Sequence, residues 1–133
     1  MKATKSNITR SLQIGSRMEA CDNSGAKIIQ IISVKGHKTT KGRRQAAGVG
    51  DFVTASVKTG LPLMRKQIIY AIIVRQKKEF RRHDGTRIKF EDNAAVVLKD
   101  EKGNPKGTLI KGPIAKEAVE KWPAIGKIAS IVV

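Results

Sequence analysis

The sequence is poor in the residues from which small proteins build disulfide frameworks, metal centres and catalytic sites. One cysteine, Cys21, stands among 133 residues, which excludes an internal disulfide and a zinc ribbon alike and suits a reducing compartment. A lone thiol of this kind reads as a buried core residue. Aromatics make up only 4% of the chain, and neither the aromatic strands of an RNA-recognition motif nor a helix-turn-helix pattern is present. The longest apolar run, Ile68 to Val74, is far too short to span a bilayer, and the first residues, MKATKSNITRSL, contain no apolar signal region. The expectation is a cytoplasmic protein with no membrane partner.

Carboxylates are scarce as well, 11 against 27 Lys and Arg. Asp22, Asp51, Asp84 and Asp100 all lie in or beside turns, and the adjacent Glu91 and Asp92 point to opposite faces if extended, so no pair converges on a metal or a substrate. His37 and His83 sit inside basic loops, where phosphate contact suits them better than acid–base work. Gly36 is followed five residues later by Lys41 rather than by a second glycine, so no phosphate-binding P-loop is present. An enzyme is the rival class, and no nucleophile, base or ligand cluster supports it. No catalytic residue, metal or cofactor is expected.

Positive charge is abundant. A net charge of +16 and a pI near 10.4 attract a polyanion and repel other copies of the chain, which makes nucleic acid the first candidate partner. The length suits one domain, residues 1–133, with a single core. No internal repeat, low-complexity stretch or linker divides it.

The apolar patterning is mainly that of short strands. Arg17 to Asp22 places Met18 and Ala20 on one face, and Asn23-Ser24-Gly25 is turn chemistry leading into a second arm, Ala26 to Val34. That arm is apolar on nearly both faces, as for a strand with a core on one side and a partner or cover on the other. Asp51 to Lys58 alternates, with Val53, Ala55 and Val57 pointing one way. Gln67 to Val74 reads as a buried strand that continues through Arg75 to Arg82 towards a tight turn at Asp84-Gly85, with Ile88 and Phe90 inward on the return. Asn93 to Lys99 is a fifth strand. Five or six short strands with glycine-bearing turns favour a small closed β-barrel, which leaves no unpaired edges. One helical segment, 113–122, is expected: Pro113 opens it, Ile114, Ala115, Ala118, Val119 and Trp122 share a face, and Pro123 stops it. The final Lys127 to Val133 is apolar enough to pack back onto the body.

Charge is concentrated in two places. The loop 35–44 carries Lys35, Lys38, Lys41, Arg43 and Arg44 with no acid among them, and its glycines let the backbone approach a phosphate closely. The basic β-hairpin 75–89 carries Arg75, Lys77, Lys78, Arg81, Arg82, Arg87 and Lys89, a pattern suited to contacting phosphates and sugars of folded RNA. Solvated surface is the ordinary explanation for one charge run; two runs in a +16 chain favour RNA. Phe80 suits either stacking on a splayed base or the core. Towards the C-terminus the charge is balanced: Lys116, Glu117, Glu120 and Lys121, with Thr108, suit a protein-docking face whose apolar side, Ile114, Ala118, Val119 and Trp122, faces the barrel. A plain structural cap on one barrel end is the competing reading of that segment.

The stretch Ala71-Ile72-Ile73-Val74, then after nine intervening residues Asp84-Gly85, after four more Phe90, and then Asn93 and Val96-Val97, resembles the signature of the universal large-subunit ribosomal protein fourteen family. The likeness extends to DNSGAK at Asp22 to Lys27, AGVGD at Ala47 to Asp51, FEDNA at Phe90 to Ala94 and KGPIAKE at Lys111 to Glu117. It covers nearly the whole chain after Ser16. The N-terminal extension, ISVKG at Ile32 to Gly36 and KWP at Lys121 to Pro123 look like archaeal and eukaryotic members. The resemblance implies a five-stranded barrel with a small C-terminal helical element and a structural role in the large ribosomal subunit. It further implies binding of large-subunit ribosomal RNA through the two basic segments, bridges to small-subunit ribosomal RNA, contacts with neighbouring ribosomal proteins, and docking of a subunit anti-association factor. The alternative is a general, chaperone-like RNA-binding protein not stably part of the ribosome.

Overall fold

Val53, Ala55 and Val57 alternate with polar residues and all three point into one interior, as period-two patterning requires. The computed structural model describes residues 2–133. In chain order its elements are β1 (Leu12–Gln13), β2 (Arg17–Ala20), β3 (Ala26–Val34), β4 (Ala46–Ala47), β5 (Phe52–Gly60), β6 (Ile68–Arg75), β7 (Phe80–Arg81), β8 (Arg87–Ile88), β9 (Ala94–Leu98), β10 (Ile110–Ile114), α1 (Lys116–Lys121), α2 (Pro123–Gly126) and β11 (Ala129–Val132). Strands β2, β3, β5, β6 and β9 form a closed barrel in that order. Register is set by the apolar partners: Val53 lies opposite Val34 on one side and Ala71 on the other, and Ala55 opposite Ile31 and Ile69. The barrel is filled by Met18, Ile29, Ile31, Val34, Val53, Ala55, Val57, Ile69, Ala71, Ile73, Ala95 and Val97.

A second core lies outside the barrel. The outward residues Phe52, Ile72, Val74, Ala94, Val96 and Leu98 are covered by Phe80, Ile110, Ile114, Ala118, Trp122 and Ile125. Burial on both faces explains why β6 and β9 are almost continuously apolar. Of the partner or cover expected over the outer face of β3, the fold supplies no cover among the described residues, and Ile32 there is 46% exposed.

The barrel closes by a parallel β2–β9 pairing of only two rungs, Glu19 with Ala94 and Ala20 with Ala95. Cys21 N donates to Ala95 O at 3.1 Å, and the next rung is made by a side chain: Val97 N donates to Asp22 Oδ2 at 3.0 Å. Ser24 Oγ donates to the other Asp22 oxygen at 2.8 Å. Burial nevertheless pushes the Asp22 carboxyl above its usual range, against these bonds, which pull it down.

The C-terminal third departs from the expected single helix over 113–122. Pro113 belongs to β10, which pairs in parallel with β11, and Gly112 at φ +77° breaks any helical run into it. Helix α1 starts only at Lys116, and Pro123, expected as a stop, takes the first turn of a second helix, where its missing N–H costs nothing. Tertiary pairing of Ile110–Ile114 outweighs the local preference of Pro113. The segment 127–133 does return onto the body as β11, with Val133 N bonded to Ile114 O at 2.9 Å. The hairpin is also shorter than expected. Past Arg75 the chain leaves the barrel ladder, and β7–β8 has two rungs, Phe80 with Ile88 and Arg81 with Arg87. Phe80 is fully buried in the outer core, which removes it from any stacking role.

Candidate nucleic-acid interface

The loop 35–44 rises from a hydrogen-bonded base. Gln45 Oε1 accepts from Val34 N at 2.9 Å while its Nε2 donates to His37 O at 3.3 Å, and His37 Nδ1 accepts from Ala46 N at 3.4 Å. Farther out, Thr39 Oγ1 accepts from the backbone N–H groups of Lys41 and Arg43 at 3.2 and 3.3 Å. The side chains of Lys35, Lys38, Lys41, Arg43 and Arg44 are exposed around this frame. Lys35 Nζ lies 4.9 Å from the centre of the Phe52 ring, and Arg44 Nη2 donates to Ile14 O at 3.1 Å. None of the five has a carboxylate partner among the described residues. The loop is thus a cluster of uncompensated cations on a fixed base, the arrangement that releases counterions from a polyphosphate.

The hairpin cations divide into two sets. Lys77, Lys78, Arg81, Arg87 and Lys89 are exposed, Arg87 with a nitrogen 3.4 Å from a carboxylate oxygen of Glu79, which is also exposed. Arg75 and Arg82 are not surface contacts. Arg75 is 7% exposed and gives a two-pronged pair to Asp92 at 2.8 and 3.0 Å, with Nη1 donating to the carbonyls of Lys111 and Pro113 at 2.9 and 3.0 Å. It ties the end of β6 to β10. Arg82 is 8% exposed and pairs with Glu117 at 2.7 Å, its Nη2 also donating to Val133 O, so it ties the hairpin to α1 and to the residue that follows β11. Sequence separations of 17 and 35 residues put both partners beyond local patterning.

The expected docking residues separate likewise. Glu117 is 4% exposed and committed to Arg82, so it presents nothing to a partner. Glu120 is exposed, Lys116 half-buried, and Lys121 Nζ sits 3.6 Å from Asp51 Oδ1. Thr108 is exposed but anchored, its N–H and hydroxyl bonded to the Asn23 amide at 2.8 and 2.9 Å. Ile114, Ala118 and Trp122 do face the barrel, the indole N–H donating to Gly50 O at 2.8 Å.

Two features escaped the sequence reading. Arg10, an isolated cation in the N-terminal segment, stands beside the 35–44 loop and lines the clefts under it. Leu61, Leu63 and Ile68 are 58%, 85% and 71% exposed around the β5–β6 turn, and a Leu-Pro-Leu sequence there was the available signal. No group of three or more His, Cys, Asp and Glu side chains able to hold a metal ion occurs among the described residues. Cys21 is buried and its thiol is pushed up to about 12 by desolvation, which keeps it protonated and unreactive.

Comparison with known proteins agrees with this geometry. The family described as ribosomal protein L14p/L23e matches residues 11–133. The chain is 54% identical to the large ribosomal subunit protein uL14 of Nanoarchaeum equitans over the whole of both chains, and 55% identical to that of Methanococcus maripaludis over 99% of each. A barrel with its basic loop, matched along its length at such identity, leaves one assignment: the chain is a member of the ribosomal protein L14p/L23e family, of the archaeal type.

Proposed function

We propose that this protein is a non-catalytic structural constituent of the large ribosomal subunit, acting in the cytoplasmic ribosome as one domain over residues 1–133. It binds large-subunit ribosomal RNA through Lys35, Lys38, Lys41, Arg43 and Arg44 and through the hairpin cations Lys77, Lys78, Arg81, Arg87 and Lys89. The observation that carries this reading is the 35–44 loop, five exposed cations without a carboxylate partner among the described residues, held on the His37–Gln45 base. Phosphates position such a surface without reading sequence. Family membership and the name carried by the archaeal relatives support the ribosomal setting. The same surface contributes to the subunit interface and to bridges with small-subunit ribosomal RNA. The exposed Leu61, Leu63 and Ile68 suit contacts with neighbouring ribosomal proteins. Thr108, Lys116, Glu120 and Lys121 form the face for a subunit anti-association factor.

Salt dependence tests the RNA reading. Replacing Lys38, Lys41 and Arg43 by Ala is expected to flatten the log–log dependence of RNA affinity on salt by about two to three units, at roughly 0.7–0.9 per phosphate contact. An unchanged slope in a folded variant would make the loop solvated surface. Co-sedimentation with large subunits through moderate salt separates a ribosomal constituent from a general RNA chaperone, which leaves its RNA at low salt.

A further inference from the structure

Four chain segments converge beside the basic loop to form a cleft of about 310 Å³. Arg10 comes from the N-terminal segment, Val34 to His37 from the end of β3, Asp51 and Phe52 from the start of β5, and Lys121 and Trp122 from the end of α1. Phe52 and Trp122 form its floor, ring centres 5.8 Å apart and planes inclined by 42°. The bond from the indole to Gly50 O and the packing of the helix fix that floor. The mouth is cationic: Lys121 is balanced by Asp51, whereas Arg10 and Lys35 have no carboxylate partner among the described residues.

A second cleft of about 330 Å³ shares Arg10, Gly36 and His37 with the first and opens onto Lys38, Thr39, Lys41 and Arg43. Its walls are polar and its wall at Gly36 is bare: φ is +82° and a Cβ there would meet nothing within 4 Å. An apolar, aromatic-floored recess thus adjoins a cationic groove with accessible backbone. Nucleotides present the matching pair of surfaces, a flat π-face beside phosphate, whereas a base inside a duplex presents only its edge.

We propose that the cleft over Phe52 and Trp122 receives the unstacked base of a single-stranded RNA nucleotide, with the flanking phosphates in the adjoining 36–43 groove. Lys35, which now covers the Phe52 ring with its ammonium, swings on its flexible stem to a phosphate as the base enters. Arg10 holds the other side of the mouth. The proposal rests on the RNA-binding reading and adds to it a site for a base, where the loop alone asks only for phosphates.

The test uses the full chain and three probes: a single-stranded RNA octamer, the same ribose-phosphate backbone with every base removed, and an RNA duplex. Trp122 is the sole tryptophan, so its indole resonance and its fluorescence report on the cleft. The octamer is expected to shift the indole signal and to bind roughly tenfold or more tighter than the abasic strand, the scale of one base–aromatic stack. All three probes shift the backbone amides of 38–43, and the duplex leaves the indole unmoved. Because Phe52 and Trp122 are core residues, the variant is Arg10→Ala with Lys35→Met, which leaves the floor in place and is expected to reduce the octamer's advantage. Equal binding of octamer and abasic strand with a still indole overturns the base site while the RNA reading stands. Failure of every probe to move the 38–43 amides overturns the RNA reading itself. An indole moved by a Leu- and Glu-containing peptide but not by RNA makes the cleft a protein-docking site and overturns the proposal.

Discussion

Arg81 and Arg82 are adjacent, chemically identical and expected to fail in different ways when replaced. The Arg82 side chain is 9% exposed and that of Glu117 is 4% exposed, with an Nε–Oε1 distance of 2.7 Å and a second contact at 3.4 Å. Removing the guanidinium by Arg82→Ala leaves a buried carboxylate without its cation, a loss on the order of 3–5 kcal/mol. For a chain of 133 residues, an unfolding entropy of roughly 2 cal/mol/K per residue makes each kcal/mol worth about 3–4 °C, so the melting temperature should fall by roughly 10–18 °C. The exposed Arg81→Ala should melt within about 2 °C of wild type, since surface changes of this kind stay within roughly 0.5 kcal/mol. It should instead flatten the salt dependence of RNA binding by about 0.7–0.9. Replacing both partners, Arg82→Met with Glu117→Leu, should recover most of the lost stability, because an apolar pair of similar volume needs no compensating charge. Calorimetry on the four proteins, with RNA titrations at several salt concentrations, measures both quantities. If Arg82→Ala melts like wild type and lowers the salt slope by the same amount as Arg81→Ala, the pairing to Glu117 is not a structural clamp and the reasoning fails.

The raised Asp22 carboxyl predicts a pH dependence of definite sign. Its native protonated form is favoured by burial, so this contribution to stability is present below the unfolded carboxylate value, near 3.9, and is lost as pH rises through the higher native value. Asp22→Asn keeps an acceptor for Val97 N and should gain on wild type at neutral pH and lose that advantage on acidification; parallel pH–stability curves for the two proteins would refute the assignment. Gly103 has φ +94° and a Cβ there would lie 2.6 Å from the Trp122 ring, so Gly103→Ala should destabilise by about 1–3 kcal/mol, and an unchanged melting curve would show that the indole yields freely. Charge reversal by Lys116→Glu with Lys121→Glu should leave assembly into large subunits intact yet weaken binding of an anti-association factor or alter subunit joining. Wild-type behaviour in all three assays would make this segment a plain cap.

The sequence by itself determined the barrel and the concentration of positive charge in its loops. Ala26–Val34 was legible residue for residue because β-branched alternation and the Asn23-Ser24-Gly25 turn are local signals, and the inward set Val53, Ala55 and Val57 follows from a period that any strand must obey. The free cations of 35–44 were legible because a run with no acid within it has no local partner to lose them to. Only the tertiary structure decided which of the remaining charges are available. Asp92 and Glu117, far along the chain, remove Arg75 and Arg82 from the surface, and Glu117 is removed with them. The same long-range pairing draws Pro113 into a strand and lays Trp122 beside Phe52, so the recess floored by these two rings arises from segments that no sequence window contains. Local periodicity specifies which face of an element is apolar; it carries no information about which distant charge or ring will be placed against it, because that is settled by closure of the barrel and the folding of the C-terminal third over its outer face.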